Sequence, residues 1–156
     1  MDRQNQPLDF DQLTKTVNDS WVELESTPFL IMAVSNFGNL LYRDTEGIIY
    51  RLIPEELSIE LVAENEMDLS NTFTNEEFLE DWDMPDLYES VMKSSAPLKD
   101  NEVLYFKVPC VFGGRYVMEN VGRISIYELL SVSGYYESQL KNLKDGQKVK
   151  LLVSPN

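Results

Sequence analysis

The chain predicts an α+β fold within the broad α/β class: a central, mostly antiparallel or mixed β-sheet with flanking α-helices, including an N-terminal helix and a long helix near the C-terminus. Three observations carry this expectation. Residues 31–62 alternate in side-chain character with turn signals between the runs, residues 8–24 repeat apolar side chains at helical spacing, and residues 125–143 do so over a longer span. A length of 156 residues with 43% hydrophobic content is enough for one sizeable core, so residues 8–156 are expected to form a single domain. Residues 1–7 are polar and are expected to be a disordered tail.

Taken in order, Phe10, Leu13, Val17, Trp21 and Leu24 recur every three or four positions and make one apolar helical face. Asp9 and Asp11 favour its N-terminal dipole, and Trp21 is expected to anchor the core. Pro28 closes the helix region, and Phe29–Val34 resumes as an apolar strand. The runs 40–43 and 48–53 flank Asp44-Thr45-Glu46-Gly47, a hairpin signal with glycine where positive φ is needed. Pro54 interrupts the pairing, and Leu57, Ile59 and Leu61 mark another strand. Thr74 and Glu77 fit a capping box for a helix that carries Phe78, Leu79 and Trp82 inward. Pro85 either breaks that helix or begins the next, in which Leu87, Val91 and Tyr88 turn to the core. Residues 94–101 read as a loop, 103–108 as a strand ended by Pro109, and Gly113-Gly114 as a sharp turn. Ser125 and Glu128 fit a second capping box, ahead of a face of Ile126, Leu129, Leu130, Ser133, Tyr136, Leu140 and Leu143. Gly134 within that face predicts a close approach to the sheet; Lys141 and Lys144 suit the helix end, Gly146 stops it, and 148–153 alternates as a last strand.

Composition excludes much chemistry. The chain has no histidine, which removes the usual general base and the usual partner of a serine or cysteine nucleophile. The single cysteine, Cys110, rules out an internal disulfide, and the common zinc sites go with the missing histidines, so no metal or other cofactor is expected. There is no apolar run long enough for a membrane span and no signal peptide in MDRQNQPLDF, so a cytoplasmic location is expected. With 27 acidic against 13 basic residues the net charge is −14, which opposes direct binding to nucleic acid or an anionic membrane and favours a basic partner.

The charge is concentrated. Residues 64–90 hold Glu64, Glu66, Asp68, Glu76, Glu77, Glu80, Asp81, Asp83, Asp86 and Glu89 with no lysine or arginine. One reading is a solvated face that only confers solubility. A second is a calcium site around Asp81-Trp82-Asp83 and Asp86, but the spacing is not that of an EF-hand loop and no glycine lies in the run. Glycosidase carboxylates cannot be paired without a known separation. The third reading is a docking surface for a basic partner, made of Glu76, Glu77, Glu80, Asp81, Asp83, Asp86 and Glu89. Gly113-Gly114 is not a phosphate cradle, because no P-loop lysine and hydroxyl follow it. A carboxylate-dependent enzyme or small-ligand binder with a pocket beside that turn, lined by Cys110, Arg115 and Tyr116, and an adaptor surface drawn from Tyr88, Tyr116, Tyr127 and Tyr135 are the remaining alternatives. The small-ligand and adaptor readings need no catalytic activity.

The ordered series PFLIMAVSNFGNLLYRDTEGIIYRL (28–52), LYFKVPCVFGGRYVMENV (104–121) and ISIYELLSVSGYYESQL (124–140), preceded by Trp21, resembles the immunity proteins associated with type VI secretion DNase effectors. Matching positions are Trp21, Phe37, Gly38, Gly47, Tyr105, Pro109, Gly113, Gly114, Asn120 and Gly134; the chain departs at Tyr127-Glu128-Leu129, where that family tends to an acid–histidine pair. The resemblance implies structural roles for the ten residues and an α/β build akin to the SUKH group of immunity proteins. It also implies a non-enzymatic function, binding and neutralising a cognate nuclease-type toxin.

Overall fold

The computed structural model describes residues 8–21 and 30–141. The tail at 1–7, Leu24, Pro28, Phe29, Leu143, Lys144, Gly146 and the strand expected over 148–153 lie outside the described residues. The architecture is α+β, with an antiparallel four-stranded sheet in the order β1-β2-β3-β4 and a separate β5-β6 pair.

The sheet is a meander, β1 (Leu30–Val34), β2 (Leu40–Arg43), β3 (Ile49–Ile53) and β4 (Ser58–Ala63), so each strand pairs with its chain neighbour. The β2–β3 turn forms where the sequence expects it. The Asp44 carboxylate accepts from the backbone N–H groups of Glu46 and Ile48 at 2.8 and 2.9 Å, and Gly47 takes φ +88°. Pro54 begins a 3-10 turn, Pro54–Glu56, that separates β3 from β4.

Both faces of the sheet are covered, so period two here separates two buried sides. On one side Leu40, Tyr42 and Leu52 pack with Leu13 and Val17 of α1 (Phe10–Ser20) and with Ile126, Leu129 and Leu130 of α5 (Ile126–Lys141). On the other, Leu41, Ile49 and Ala63 pack with Leu69 of α2 (Glu66–Thr72), Phe78 and Trp82 of α3 (Glu76–Asp83) and Phe73 between the two helices. A third cluster joins Phe37, Leu104, Phe106 and Val121 to Leu87, Tyr88 and Val91 of α4 (Pro85–Met92), against β5 (Glu102–Phe106) and β6 (Val121–Ser125). Each such buried aliphatic or aromatic side chain contributes about 1.5–3 kcal/mol.

Several boundaries differ from the expectation. Helix α1 ends at Ser20, with Trp21 as its buried C-cap, and Phe10 is 37% exposed because it precedes the turn that meets the sheet. Asp9 is the N-cap and accepts from Gln12 N–H at 3.1 Å. Helix α2 was not foreseen: Asn65 caps it, and it has no fully buried residue to mark an apolar stripe. Helix α3 is capped by Asn75, which accepts from Phe78 N–H, and not by Thr74, whose hydroxyl donates to the Asn71 carbonyl. Pro85 starts α4, after Met84 in the left-handed region at φ +42°. Strand β6 also went unseen. Ser125 Oγ accepts from Tyr127 N–H, so its cap is tighter than a capping box with Glu128. Gly134 approaches α1 and not the sheet, since a Cβ there would collide with the Ser20 carbonyl and the Trp21 ring.

Candidate functional site

The acidic residues lie on α3, which covers one face of the four-stranded sheet, and on α4, which follows it and packs against the β5–β6 pair. Glu76, Glu77, Glu80, Asp81, Asp86 and Glu89 are exposed and Asp83 is half-buried. Glu76, Glu77, Glu80 and Asp81 border one open depression. Asparagine caps and apolar anchors explain why α3 sits there. Phe78 and Trp82 stack with centroids 6.0 Å apart, and Phe73 meets both edge-on.

Asp81 differs from the rest in having a structural partner. Arg51 on β3 is only 2% exposed, and its Nη1 donates to Asp81 Oδ2 at 2.6 Å; Glu60 on the adjacent strand stands 3.5 Å from the same nitrogen. The guanidinium lies over the Phe78 and Trp82 rings, 5.8 and 5.7 Å from their centroids. Its Nε donates to Asn39 Oδ1 at 2.9 Å, and Asn39 Nδ2 donates to both oxygens of Glu55, at 3.2 and 3.0 Å. A polar chain of Glu55, Asn39, Arg51 and Asp81 therefore runs through the sheet to α3. Arg43, on the same face, bonds Glu66 of α2 at 2.7 Å.

At the other end of this chain Glu55 is 5% exposed, and desolvation pushes its carboxyl up to about 7, against the lowering effect of its backbone and Asn39 hydrogen bonds and of the Arg51 charge. Glu55 borders a cavity of about 150 Å³ between the Pro54–Glu56 turn, β5 and α5. Sequence reasoning passed over Glu55, Asn39 and Arg51; the signal available was an arginine placed in register with Leu41 and Ile49 on a strand face.

The Gly113-Gly114 turn is a clamp built by Asn120. Its side chain accepts from Val108 N–H at 2.9 Å and donates to the Val108 and Arg115 carbonyls at 3.0 Å each. A Cβ at Gly114 would strike the Val108 carbonyl, so the turn closes only on glycine. Burial raises the Cys110 thiol and the Tyr116 phenol, and both stay protonated at neutral pH. Arg115 is exposed and does not border the cavity; Tyr116 packs edge-on to Phe106 at 4.8 Å. Cys110 and Tyr116 lie in contact with each other, and none of Cys110, Arg115 and Tyr116 borders the cavity beside Glu55. Of the other matching positions, Trp21 is buried, Phe37 stacks on Phe106 at 5.2 Å, Gly38 closes the β1–β2 turn, and Tyr105 and Pro109 border the cavity. Tyr88 is half-buried in the third cluster, and Tyr127 packs against the first, which breaks up the supposed aromatic surface. No group of acidic or sulfur side chains among the described residues is arranged to hold a metal ion. No helix among them is long and apolar enough to cross a membrane.

The family described as T6SS immunity protein Tdi1, C-terminal, matches residues 63–135, from the end of β4 through most of α5. No curated protein matches the sequence. Among solved structures, the crystal structure of Atu4351 from Agrobacterium tumefaciens is similar, with a TM-score of 0.59 at 14% identity. The alignment covers 81% of this chain and 64% of that one, so the present chain spans less than two thirds of its length, and the likeness is one of fold. The family match includes α2, the acidic helices α3 and α4, the Asn120 clamp and β6. Through this region the chain is similar to the type VI secretion immunity family described as Tdi1, C-terminal.

Proposed function

We propose that the protein is a non-enzymatic, cytoplasmic immunity protein that binds and neutralises a cognate basic toxin of the nuclease type through Glu76, Glu77, Glu80, Asp81, Asp83, Asp86 and Glu89. The observation that carries this reading is the run of exposed carboxylates on the consecutive helices α3 and α4 with no basic residue, α3 being fastened to the sheet through Arg51 and Asp81. A nuclease holds phosphates in a basic cleft, so a rigid carboxylate surface is complementary to that cleft and speeds encounter by electrostatic steering. The immunity family supports the same reading, and the net charge of −14 argues against nucleic acid or an anionic membrane as the direct partner.

The test is a set of acid substitutions on α3 and α4 that spares Asp81, because its loss would disturb Arg51. Glu76→Gln, Glu77→Gln, Glu80→Gln, Asp83→Asn and Asp86→Asn together are expected to slow association with the toxin at least tenfold at low salt and to flatten the salt dependence of the rate. Unchanged affinity and salt slope, in a variant with unchanged melting temperature, would move the interface elsewhere.

A further inference from the structure

The cavity beside Glu55 is the feature that toxin docking through α3 and α4 does not use. Its volume, about 150 Å³, is that of a cavity that holds one benzene-sized group, too small for a nucleotide or a sugar chain. Phe37, Phe106, Tyr105 and Tyr136 supply aromatic walls, and Glu55, a residue 5% exposed, supplies an acidic side chain. Asn39 holds that carboxyl by both oxygens, which fixes its plane and leaves further lone pairs on each oxygen. Among the described residues Glu55 has no ion-pair partner, since the nearby guanidinium of Arg51 is bonded to Asn39 and Asp81. A buried, oriented carboxyl without a counter-ion, at the wall of an aromatic cavity, is complementary to a positive charge carried on a small apolar stem.

We propose that this cavity binds the head of a small organic cation, an alkylguanidinium or alkylammonium group, with Glu55 as its counter-ion. A second carboxylate, the exposed Glu128 of α5, borders the same space and adds to the attraction, while the exposed Lys107 is the one basic side chain among its lining residues. An anion would meet two carboxylates, and an uncharged group would leave Glu55 without a counter-ion. The charge could be borne by a free small molecule or by a basic side chain of a partner protein; the chemistry of the site is the same for both.

The free carboxyl takes up a proton near pH 7 because it is buried, so a cation entering the cavity displaces that proton. Arg51 on β3, Glu56 in the same turn, Lys107 after β5 and Glu128 on α5 carry the other charges around it. Cys110 and Tyr116, in the segment that follows, are held protonated well above this range.

Calorimetric titration of the full chain with n-butylguanidinium and n-butylammonium chloride tests the site. Saturable binding is expected, strengthening up to about tenfold per pH unit below the Glu55 midpoint and level above it. Glu55→Gln, which keeps an oxygen for Asn39, is expected to weaken binding at least tenfold and abolish the pH dependence. Val132→Phe fills the cavity from α5 without touching the carboxyl and is expected to abolish binding. Failure of both probes to saturate the wild-type chain, or equal affinity in the wild type and Glu55→Gln, overturns the proposal. Repeating the titration with the toxin bound identifies the source: displacement supports a cation site filled by a partner side chain, and retention supports one filled by a free molecule.

Discussion

Two buried charged residues on either side of Asn39 have opposite energetic characters. Glu55 carries a raised folded-state value of about 7, above its ordinary 4.5, so the folded protein holds a proton that the unfolded chain has released between those limits. Stability is therefore highest below about pH 4.5 as far as this group is concerned, falls as pH rises to about 7, and is flat beyond. Glu55→Gln should remove that slope and raise stability at pH 8 by up to about 3 kcal/mol, read from urea denaturation across the pH range. Arg51 is compensated by Asn39, Asp81 and two aromatic faces. Arg51→Met leaves Asn39 Oδ1 buried without its donor and should cost about 3 kcal/mol. Asp81→Asn should cost only about 1 kcal/mol, because that side chain is 66% exposed and Glu60 remains near the arginine. Equal losses in the two variants, measured by denaturation, would show that the pair is the main contribution and not the burial of Arg51. None of this was legible in the sequence: Asn39 and Arg51 are 12 positions apart and Arg51 and Asp81 30, and Glu55 looks like any solvated glutamate next to a proline.

Secondary structure was easier to foresee where a local pattern agreed with the packing. The β2–β3 turn and Pro54 were legible because aspartate, glycine and proline act within a few residues. The front of α5 was legible because Ile126, Leu129, Leu130 and Ser133 do face the core. Helix α2 was obscured by the absence of buried residues, and β6 by Gly122 and Arg123 in its middle. The acidic surface was legible as composition; that one of its members, Asp81, is bonded to the sheet was not. Gly134 was recognised as a contact but assigned to the wrong neighbour, because periodicity places a residue on a face without saying what covers it. Gly134→Ala gains about 1 kcal/mol of helix propensity but drives a methyl group into the Ser20 carbonyl. The net expected loss is about 1–3 kcal/mol, visible as a lower melting temperature.

At the scale of the whole molecule, a net charge of −14 acts against compactness. Raising salt from about 0.01 M to about 1 M shortens the screening length from about 30 Å to about 3 Å, so the melting temperature should rise with sodium chloride. The five-residue neutral variant of α3 and α4 should show a smaller rise, and an equal one would mean that these carboxylates are not the main source of the repulsion. The same charge therefore lowers the stability of the free protein, and the proposed docking of a basic toxin would relieve it.

The meander pairs neighbours in the chain, whereas the packing of α1 on α5 joins segments more than a hundred residues apart. Contacts of the first kind close short loops and can form early; the second requires most of the chain to be in place. The α1–α5 seam is therefore expected to form late on the folding path and to open early in unfolding. In stopped-flow experiments Gly134→Ala should accelerate unfolding and leave the refolding rate nearly unchanged. On that expectation the lifetime of the native protein, more than the speed at which it appears, depends on the close contact of Gly134 with Ser20.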